Sequence, residues 1–145
     1  MMNATGKQDA NGRRSATGKQ DANGRRSATG RRGEDAAALW LEGRGHSILS
    51  RNWRGGRVEL DIVSIDPEGI HFVEVKSRTA PVMADPAVNV NYTKQQHLVA
   101  AARRWLKGNP AFGAYEVFFD IITVIFDHTN THINYYKQAF IPTYA

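Results

Sequence analysis

A predicted β-hairpin lies near the middle of this chain and sets the relative positions of its charged residues. The stretches Arg57–Ile65 and Ile70–Ser77 are rich in β-branched residues, and the sequence Asp66-Pro67-Glu68-Gly69 between them is typical of a turn. The turn can be closed by its own first and last residues or by the two residues that flank it. Both choices give the same register, which places Asp61 opposite Glu74.

This register brings two carboxylates and an ammonium group to one face of the hairpin. Side chains alternate along a strand, so Asp61, Glu74 and Lys76 are expected to share a face. Opposed side chains have Cβ atoms about 5 Å apart, so like charges repel there unless a cation lies between them. Carboxylates are ligands that Mg²⁺ accepts, which predicts a metal site held by Asp61 and Glu74. Lys76 would neutralise a developing oxyanion or orient a water, and the chemistry indicated is metal-assisted phosphodiester hydrolysis.

A simpler interpretation of the same pattern stays open. Acid and lysine pairs are common on the exposed face of any hairpin, and a β-bulge would shift the register. The predicted face also carries large apolar side chains, namely Val63, Ile65, Ile70 and Phe72. A face that mixes carboxylates with a large apolar patch favours a covered cleft over a solvated surface.

The rest of the body predicts helices packed on a mixed sheet. The expected elements are a helix at Glu34–Leu41, a strand at Ile48–Asn52 with a polar loop to Gly56, a helix capped by Thr93 and Gln96 that ends near Lys107, and strands at Glu116–Phe126 and Thr131–Tyr136. Residues 78–92 are expected to form a long loop. The order is αβββαββ, which predicts an α/β or α+β fold.

The first 32 residues differ from the body in composition. Ala4–Ser15 is repeated without change as Ala16–Ser27, and residues 1–32 carry eight Lys/Arg against two Asp, whereas residues 33–145 carry eleven Lys/Arg against twelve Asp/Glu. We expect residues 1–32 to be a disordered basic tail and residues 33–145 to be the folded domain. A chain with no cysteine, no leading apolar stretch and no long apolar run is expected to be cytoplasmic and to avoid membranes.

An arginine-rich stretch around an indole is a candidate nucleic-acid contact. Arg51, Trp53, Arg54 and Arg57 lie within seven residues. Guanidinium groups bind phosphate and an indole stacks on an unpaired base. The alternative is an exposed arginine loop in which Trp53 covers an edge of the core.

The ordered set of motifs resembles a known family. The set comprises Gly33-Glu34, Arg51-Asn52, Glu59-Leu60-Asp61-Ile62-Val63, Phe72-Val73-Glu74-Val75-Lys76-x-Arg78, Lys94-Gln95, Phe119-Asp120 and Ala139-Phe140. It resembles the small bacterial YraN-like family of the PD-(D/E)xK, restriction-endonuclease-like superfamily, which is related to archaeal Holliday-junction resolvases. The resemblance covers residues 33 to about 141. One departure is Val58, where the family usually has Gly.

The resemblance implies roles for particular residues. It implies Asp61 and Glu74 as ligands of Mg²⁺ or Mn²⁺, Lys76 as the catalytic lysine and Glu34 as a further catalytic acid. Glu34 has an equally good alternative, because an acid in the first turn of a helix is favourable for dipole reasons alone. Arg78 and Lys94 match family positions and are candidate nucleic-acid contacts, although Lys94 also fits an exposed first turn.

The expected function is a metal-dependent nuclease acting on branched or damaged DNA. A catalytically inactive nucleic-acid-binding module with the same fold is the alternative, and a purely structural interaction domain leaves the acid cluster unexplained. The resolvase-like relatives also suggest a homodimer.

Overall fold

The predicted element order is confirmed. The computed structural model describes residues 27–82, 84–85 and 90–142. Its elements are α1 (Ala28–Gly43), β1 (Ser47–Gly55), β2 (Val58–Asp66), β3 (Gly69–Thr79), α2 (Tyr92–Gly108), a 3₁₀ turn at Pro110–Phe112, β4 (Val117–Phe126) and β5 (Thr131–Tyr136). The fold is therefore mixed α+β, with helices and strands in the predicted sequence.

The described strands form a mixed five-stranded sheet in the order β1-β2-β3-β4-β5. Neighbouring strands are antiparallel except β3 and β4, which are parallel and joined through α2. The predicted hairpin register is also confirmed, because Ile62–Asp66 pairs with Gly69–Val73 as expected. This topology puts β3 in the middle of the sheet, between its antiparallel partner β2 and its parallel partner β4.

The two helices cover opposite faces of the sheet. Helix α2 packs on a cluster that includes Val63, Phe72 and Trp105, and the Trp105 Nε1–H donates to Ser50 Oγ over 2.9 Å. Helix α1 packs on a second cluster that includes Ile62 and Val73. Burying these apolar side chains on both faces is the main favourable contribution to folding. Polar side chains within β2, β3 and β4 are therefore withdrawn from bulk water by a helix on either side.

Helix α1 begins earlier than the sequence predicted. It starts at Ala28 rather than Glu34, and the Ser27 hydroxyl caps it by accepting from the Gly30 N–H over 3.0 Å. The predicted tail is therefore too long at its end, because residues 28–32 belong to the helix. Residues 1–26 lie outside the described residues, so their predicted disorder stays a prediction.

Two further boundaries were wrong for local reasons. Strand β1 continues to Gly55, so Trp53 and Arg54 lie on a strand and not in a loop. Helix α2 is capped by Asn91, whose side chain accepts from the Lys94 N–H over 2.9 Å, and not by the predicted Thr93 capping box. Part of the predicted 78–92 loop, residues 83 and 86–89, lies outside the described residues.

Within the described part of the chain, no helix has both the length and the apolar character needed to cross a membrane.

Candidate functional site

Strand β3 presents Glu74 and Lys76 toward helix α2. The pairing of β3 with β4 is regular along its whole length, so Glu74, Lys76 and the core residue Phe72 share one face. The Lys94 ammonium in the first turn of α2 lies 3.2 Å from Glu74 Oε2. Glu74 is only 2 % exposed, so this ion pair sits at the wall of a covered site.

Strand β2 departs from regular alternation at Asp61. Leu60 and Val63 both pack in the α2-side cluster, whereas Ile62 packs in the α1-side cluster. In an uninterrupted strand Leu60 and Ile62 would share a face, so the alternation breaks between them. The facing residue on β1 is Asn52, which has a φ of 52° and is itself irregular. The break in alternation therefore falls at Asp61, beside an irregular residue of β1.

The Asp61 carboxylate is held by the backbone of β3. The regular β2–β3 ladder ends at the pair Ile62 and Val73. Beyond this pair the Val75 N–H donates to Asp61 Oδ2 over 2.8 Å. The carboxylate therefore replaces a backbone carbonyl as the acceptor for this backbone donor. Val75 lies between Glu74 and Lys76, so the structure brings the three predicted residues together by an anchored carboxylate instead of by opposed side chains.

Helix α1 brings Glu34 to the same region of β3. A Cβ atom added at Gly33 would lie 1.7 Å from Ser77 Oγ, so the helix backbone rests directly on the residue that follows Lys76. Glu34 is 2 % exposed and lines a concave surface of about 330 Å³ with Arg31, Asp35, Arg51 and Asn52. Because α1 begins at Ala28, Glu34 lies beyond the first turn of the helix, so the alternative based on the helix dipole does not explain this buried acid.

The site concentrates buried charge. The carboxylates of Glu34, Asp61 and Glu74 are each 1–2 % exposed. Buried carboxylates are costly without compensating cations and donors. Carboxylate oxygens such as those of Asp61 and Glu74 are ligands that a hard divalent cation accepts.

Thr123 on β4 adds a second polar feature beside Lys76. It pairs with Lys76 in the sheet, is 0 % exposed, and its Oγ1 has no hydrogen-bond partner among the described residues. A buried hydroxyl without a partner costs about 1–3 kcal/mol, so this position suits a bound water or substrate oxygen. No sequence pattern pointed to Thr123, because it lies among the apolar residues of the run Val117–Phe126.

The predicted nucleic-acid contacts do not form one cluster. Arg51 pairs with Asp35 over 2.7 Å beside the Glu34 surface. Arg54 lies 3.5 Å from Glu59, and Arg57 is exposed in the β1–β2 turn. Trp53 is half-buried and packs against the α2-side core, which is the alternative that the sequence left open.

Arg78 and Lys94 are closer to the acids. Arg78 follows Ser77 on β3 and is half-buried, and burial lowers the pKa of its guanidinium. Its Nη1 donates to the Ser77 carbonyl over 3.0 Å. Lys94 contacts Glu74 and is therefore part of the acid site itself. Sequence patterns did not predict that ion pair, because it depends on where α2 crosses the sheet.

Similarity to known proteins identifies the family. A sequence model of the uncharacterised protein family UPF0102 matches residues 33–124. A UPF0102 protein of Lawsonia intracellularis is 37 % identical over 109 residues, which cover 75 % of this chain and 82 % of the relative. A UPF0102 protein of Bacteroides thetaiotaomicron is 41 % identical over 111 residues, 76 % of this chain and 89 % of the relative. The chain therefore belongs to the uncharacterised protein family UPF0102, as its resemblance to the YraN-like family predicted.

Proposed function

We propose that this protein is a metal-dependent nuclease of the PD-(D/E)xK type that hydrolyses phosphodiester bonds in branched or damaged DNA. One observation carries the proposal. The Asp61 carboxylate is bonded to the Val75 N–H, between Glu74 and Lys76, and is nearly inaccessible to water. Such a buried set of acids with an adjacent lysine is costly as a structural element and useful as a catalytic one.

The residues take separate roles in this proposal. Asp61 and Glu74 hold the metal ion, and their oxygen donors fit Mg²⁺ or Mn²⁺. When bound, the ion supplies a Lewis acid for the phosphate and lowers the pKa of a coordinated water. Lys76 places its ammonium beside the reacting phosphate, where it stabilises developing negative charge. Glu34, from α1, orients the donor set or accepts a proton from the attacking water.

The surrounding cations bind the DNA backbone in the same proposal. Arg51 and Arg78 flank the acids from β1 and β3, and Lys94 stands at the rim on α2. Arg54 and Arg57 lie further along β1 and the β1–β2 turn, where they extend the contact to a second region of the backbone. Trp53 supports this strand by packing on the core. A branched substrate with two equivalent strands suits a homodimer, which light scattering at several protein concentrations would detect.

One observation favours the alternative, a nucleic-acid-binding module without turnover. The Lys94 ammonium already provides a cation 3.2 Å from Glu74 Oε2. In this alternative the lysine compensates the buried carboxylate permanently, and no metal ion is needed to stabilise the fold.

Metal binding tests the site directly. We expect calorimetry to detect Mn²⁺ binding to the wild-type protein and to an Arg103→Gln control, whose exposed arginine lies on α2. The double variant Asp61→Asn/Glu74→Gln should bind Mn²⁺ far more weakly. These amide side chains keep the volume of the carboxylates, so circular dichroism should report an intact fold. Equal binding by the wild type and the double variant would disprove the proposed site.

Cleavage separates the enzyme from the binding module. Flapped and four-way branched DNA, labelled at each end, would be incubated with Mg²⁺ or Mn²⁺ and the wild type or Lys76→Met. The nuclease proposal expects nicking by the wild type, loss of nicking in the variant and little change in DNA affinity. Binding by both proteins without cleavage of any substrate would favour the alternative.

A further inference from the structure

A second group of potential metal ligands lies on the opposite face of the sheet from Glu74 and Lys76. His46 precedes β1, Asp66 ends β2 and His71 lies near the start of β3. One ligand atom from each residue lies within 4.8 Å of the others. His71 belongs to the α1-side face because it pairs with Ser64, two residues beyond Ile62 on β2. The group is therefore separate from Asp61, Glu74 and Lys76 in both position and chemistry.

The ligand atoms point toward one another. His71 Nε2 lies 2.8 Å from Asp66 Oδ1, and His46 Nε2 lies 3.5 Å from Asp66 Oδ2. The donors of a tetrahedral zinc site lie about 2.0–2.2 Å from the ion and hence roughly 3.3 Å from one another. The two separations are close to that value but go to different oxygens of Asp66, and the three ligand atoms lie within 4.8 Å of one another. A movement of the side chains that brings both Nε2 atoms to one ion would complete the three-ligand geometry.

Each imidazole is already oriented by a partner on its other nitrogen. His71 Nδ1 lies 2.6 Å from Asp120 Oδ2, and His46 Nδ1 lies 2.9 Å from Ser64 Oγ. Metal-binding histidines nearly always have such a carboxylate, carbonyl or hydroxyl partner, which fixes the ring and leaves the second nitrogen for the ion. Both histidines show this arrangement here, and the Nε2 atom of each ring faces the Asp66 carboxylate.

The supporting residues are themselves held in place. Asp120 accepts from the Tyr135 hydroxyl over 2.5 Å and from the Gln138 N–H over 2.8 Å. Asp66 Oδ1 accepts from the Glu68 N–H over 3.0 Å, so the β2–β3 turn fixes its carboxylate. A site built from such constrained side chains needs little ordering when an ion binds.

Carboxylates contact both nitrogens of the His71 ring, Asp120 at Nδ1 and Asp66 at Nε2. Since Asp66 is partly exposed, with its side chain at 16 %, the ion has a route from solvent.

We propose that His46, Asp66 and His71 form a binding site for Zn²⁺ or a similar divalent transition-metal ion, with Asp120 and Ser64 as orienting partners. Two imidazoles and one carboxylate favour such ions over Mg²⁺ and Mn²⁺, which prefer all-oxygen sites. The chain would thus carry two metal sites of different selectivity, one on each face of the sheet. This proposal does not depend on the proposed nuclease function.

Zinc titration of the untagged, chelator-treated protein tests the proposal. We expect one equivalent of Zn²⁺ to bind and to raise the melting temperature, and one equivalent of Co²⁺ to give the intense visible absorption of a site with fewer than six ligands. His46→Gln should weaken Zn²⁺ binding more than about 100-fold. His132→Gln is the matched control, because His132 also contacts a carboxylate, Asp127 Oδ2 at 2.9 Å, but is exposed and belongs to no three-ligand group among the described residues.

Two further variants keep the test decisive if His46→Gln does not fold. Ser64→Ala removes only the hydroxyl that orients His46 and should weaken Zn²⁺ binding about tenfold, as expected for the loss of an orienting partner. Asp61→Asn should leave Zn²⁺ binding unchanged, since it belongs to the other site. The proposal is overturned if the wild type binds no stoichiometric Zn²⁺, if Ser64→Ala binds as tightly as the wild type, or if Asp61→Asn abolishes the binding.

Discussion

Replacing Gly33 by alanine should push helix α1 away from strand β3. The new Cβ would lie 1.7 Å from Ser77 Oγ and 2.8 Å from Ser77 Cβ. Rotating the hydroxyl relieves the first contact, but the second involves an atom fixed to the strand backbone. An ordinary contact needs at least 3.4 Å, so helix and strand must separate by several tenths of an ångström or more.

The expected loss is a balance of two effects. Overpacking in a tight interface costs about 1–3 kcal/mol, and the better helix propensity of alanine returns about 0.5–1 kcal/mol. We therefore expect a net loss of about 1–2 kcal/mol in the free energy of unfolding, measured by urea denaturation. Because Glu34 is the next residue, Mn²⁺ binding at the acid site should weaken as well.

Compensation and a control make this prediction specific. Ser77→Gly removes both clashing atoms and leaves Ser77 Cα at 3.9 Å, so Gly33→Ala/Ser77→Gly should show a favourable coupling energy of about 1–2 kcal/mol. Gly43→Ala tests helix propensity alone, since nothing lies within 4 Å of its added Cβ, and it should not destabilise the protein. The reasoning would be refuted if Gly33→Ala were as stable as the wild type, or if Ser77→Gly gave no compensation.

Three other perturbations have defined outcomes. Lys94→Gln removes the ammonium beside Glu74, and a partly exposed ion pair contributes on the order of 1 kcal/mol. Calorimetry should therefore show about fivefold tighter Mn²⁺ binding together with weaker DNA binding. An unchanged Mn²⁺ affinity would mean that the lysine does not compete with the metal ion for Glu74. Ser50→Ala removes the acceptor of the Trp105 indole N–H and should cost about 1 kcal/mol in urea unfolding, whereas no loss would show that water replaces the hydroxyl. Burial raises the pKa of Tyr135 above its usual 10. Above pH 10 the Tyr135 phenol is therefore neutral in the folded state but ionised in the unfolded state. Its contribution to stability is therefore complete below pH 10 and is lost as the pH rises further, and Tyr135→Phe should show a flatter decline of the urea midpoint above pH 10; identical pH profiles would contradict this.

The hairpin could be predicted because its signals are local. The turn residues 66–69 and the β-branched strands around them fix the register without reference to the rest of the chain. That register predicted Asp61 near Glu74, and in the structure the bond from the Val75 N–H to the Asp61 carboxylate holds Asp61 beside this part of β3. The same logic identified the two helices and the strands β4 and β5, each of which has a continuous apolar or β-rich pattern.

The parts that could not be predicted depend on tertiary contacts. The break in alternation at Asp61 lies opposite the irregular Asn52 on β1, and the Asp61 carboxylate accepts from the Val75 N–H on β3. No local sequence pattern predicts either of these contacts. Helix α1 was placed too late because Gly30 and Gly33 weaken helix propensity. Gly33 is instead explained by the close approach of the helix to Ser77.

The parallel pairing of β3 with β4 has a consequence for the order of folding. Strands β1 to β3 are joined by short turns, so their meander closes small loops, whereas β4 pairs with β3 only after the chain has passed through α2. We expect early amide protection in the β2–β3 hairpin and later protection in β4, which pulsed hydrogen exchange would measure. The acids on β2 and β3 would then stay hydrated until the step that covers them with α2, which is also the step that delivers Lys94. The carboxylates and the Lys94 ammonium that compensates them would become buried in the same step. The chain would then avoid a folding intermediate with uncompensated buried charge.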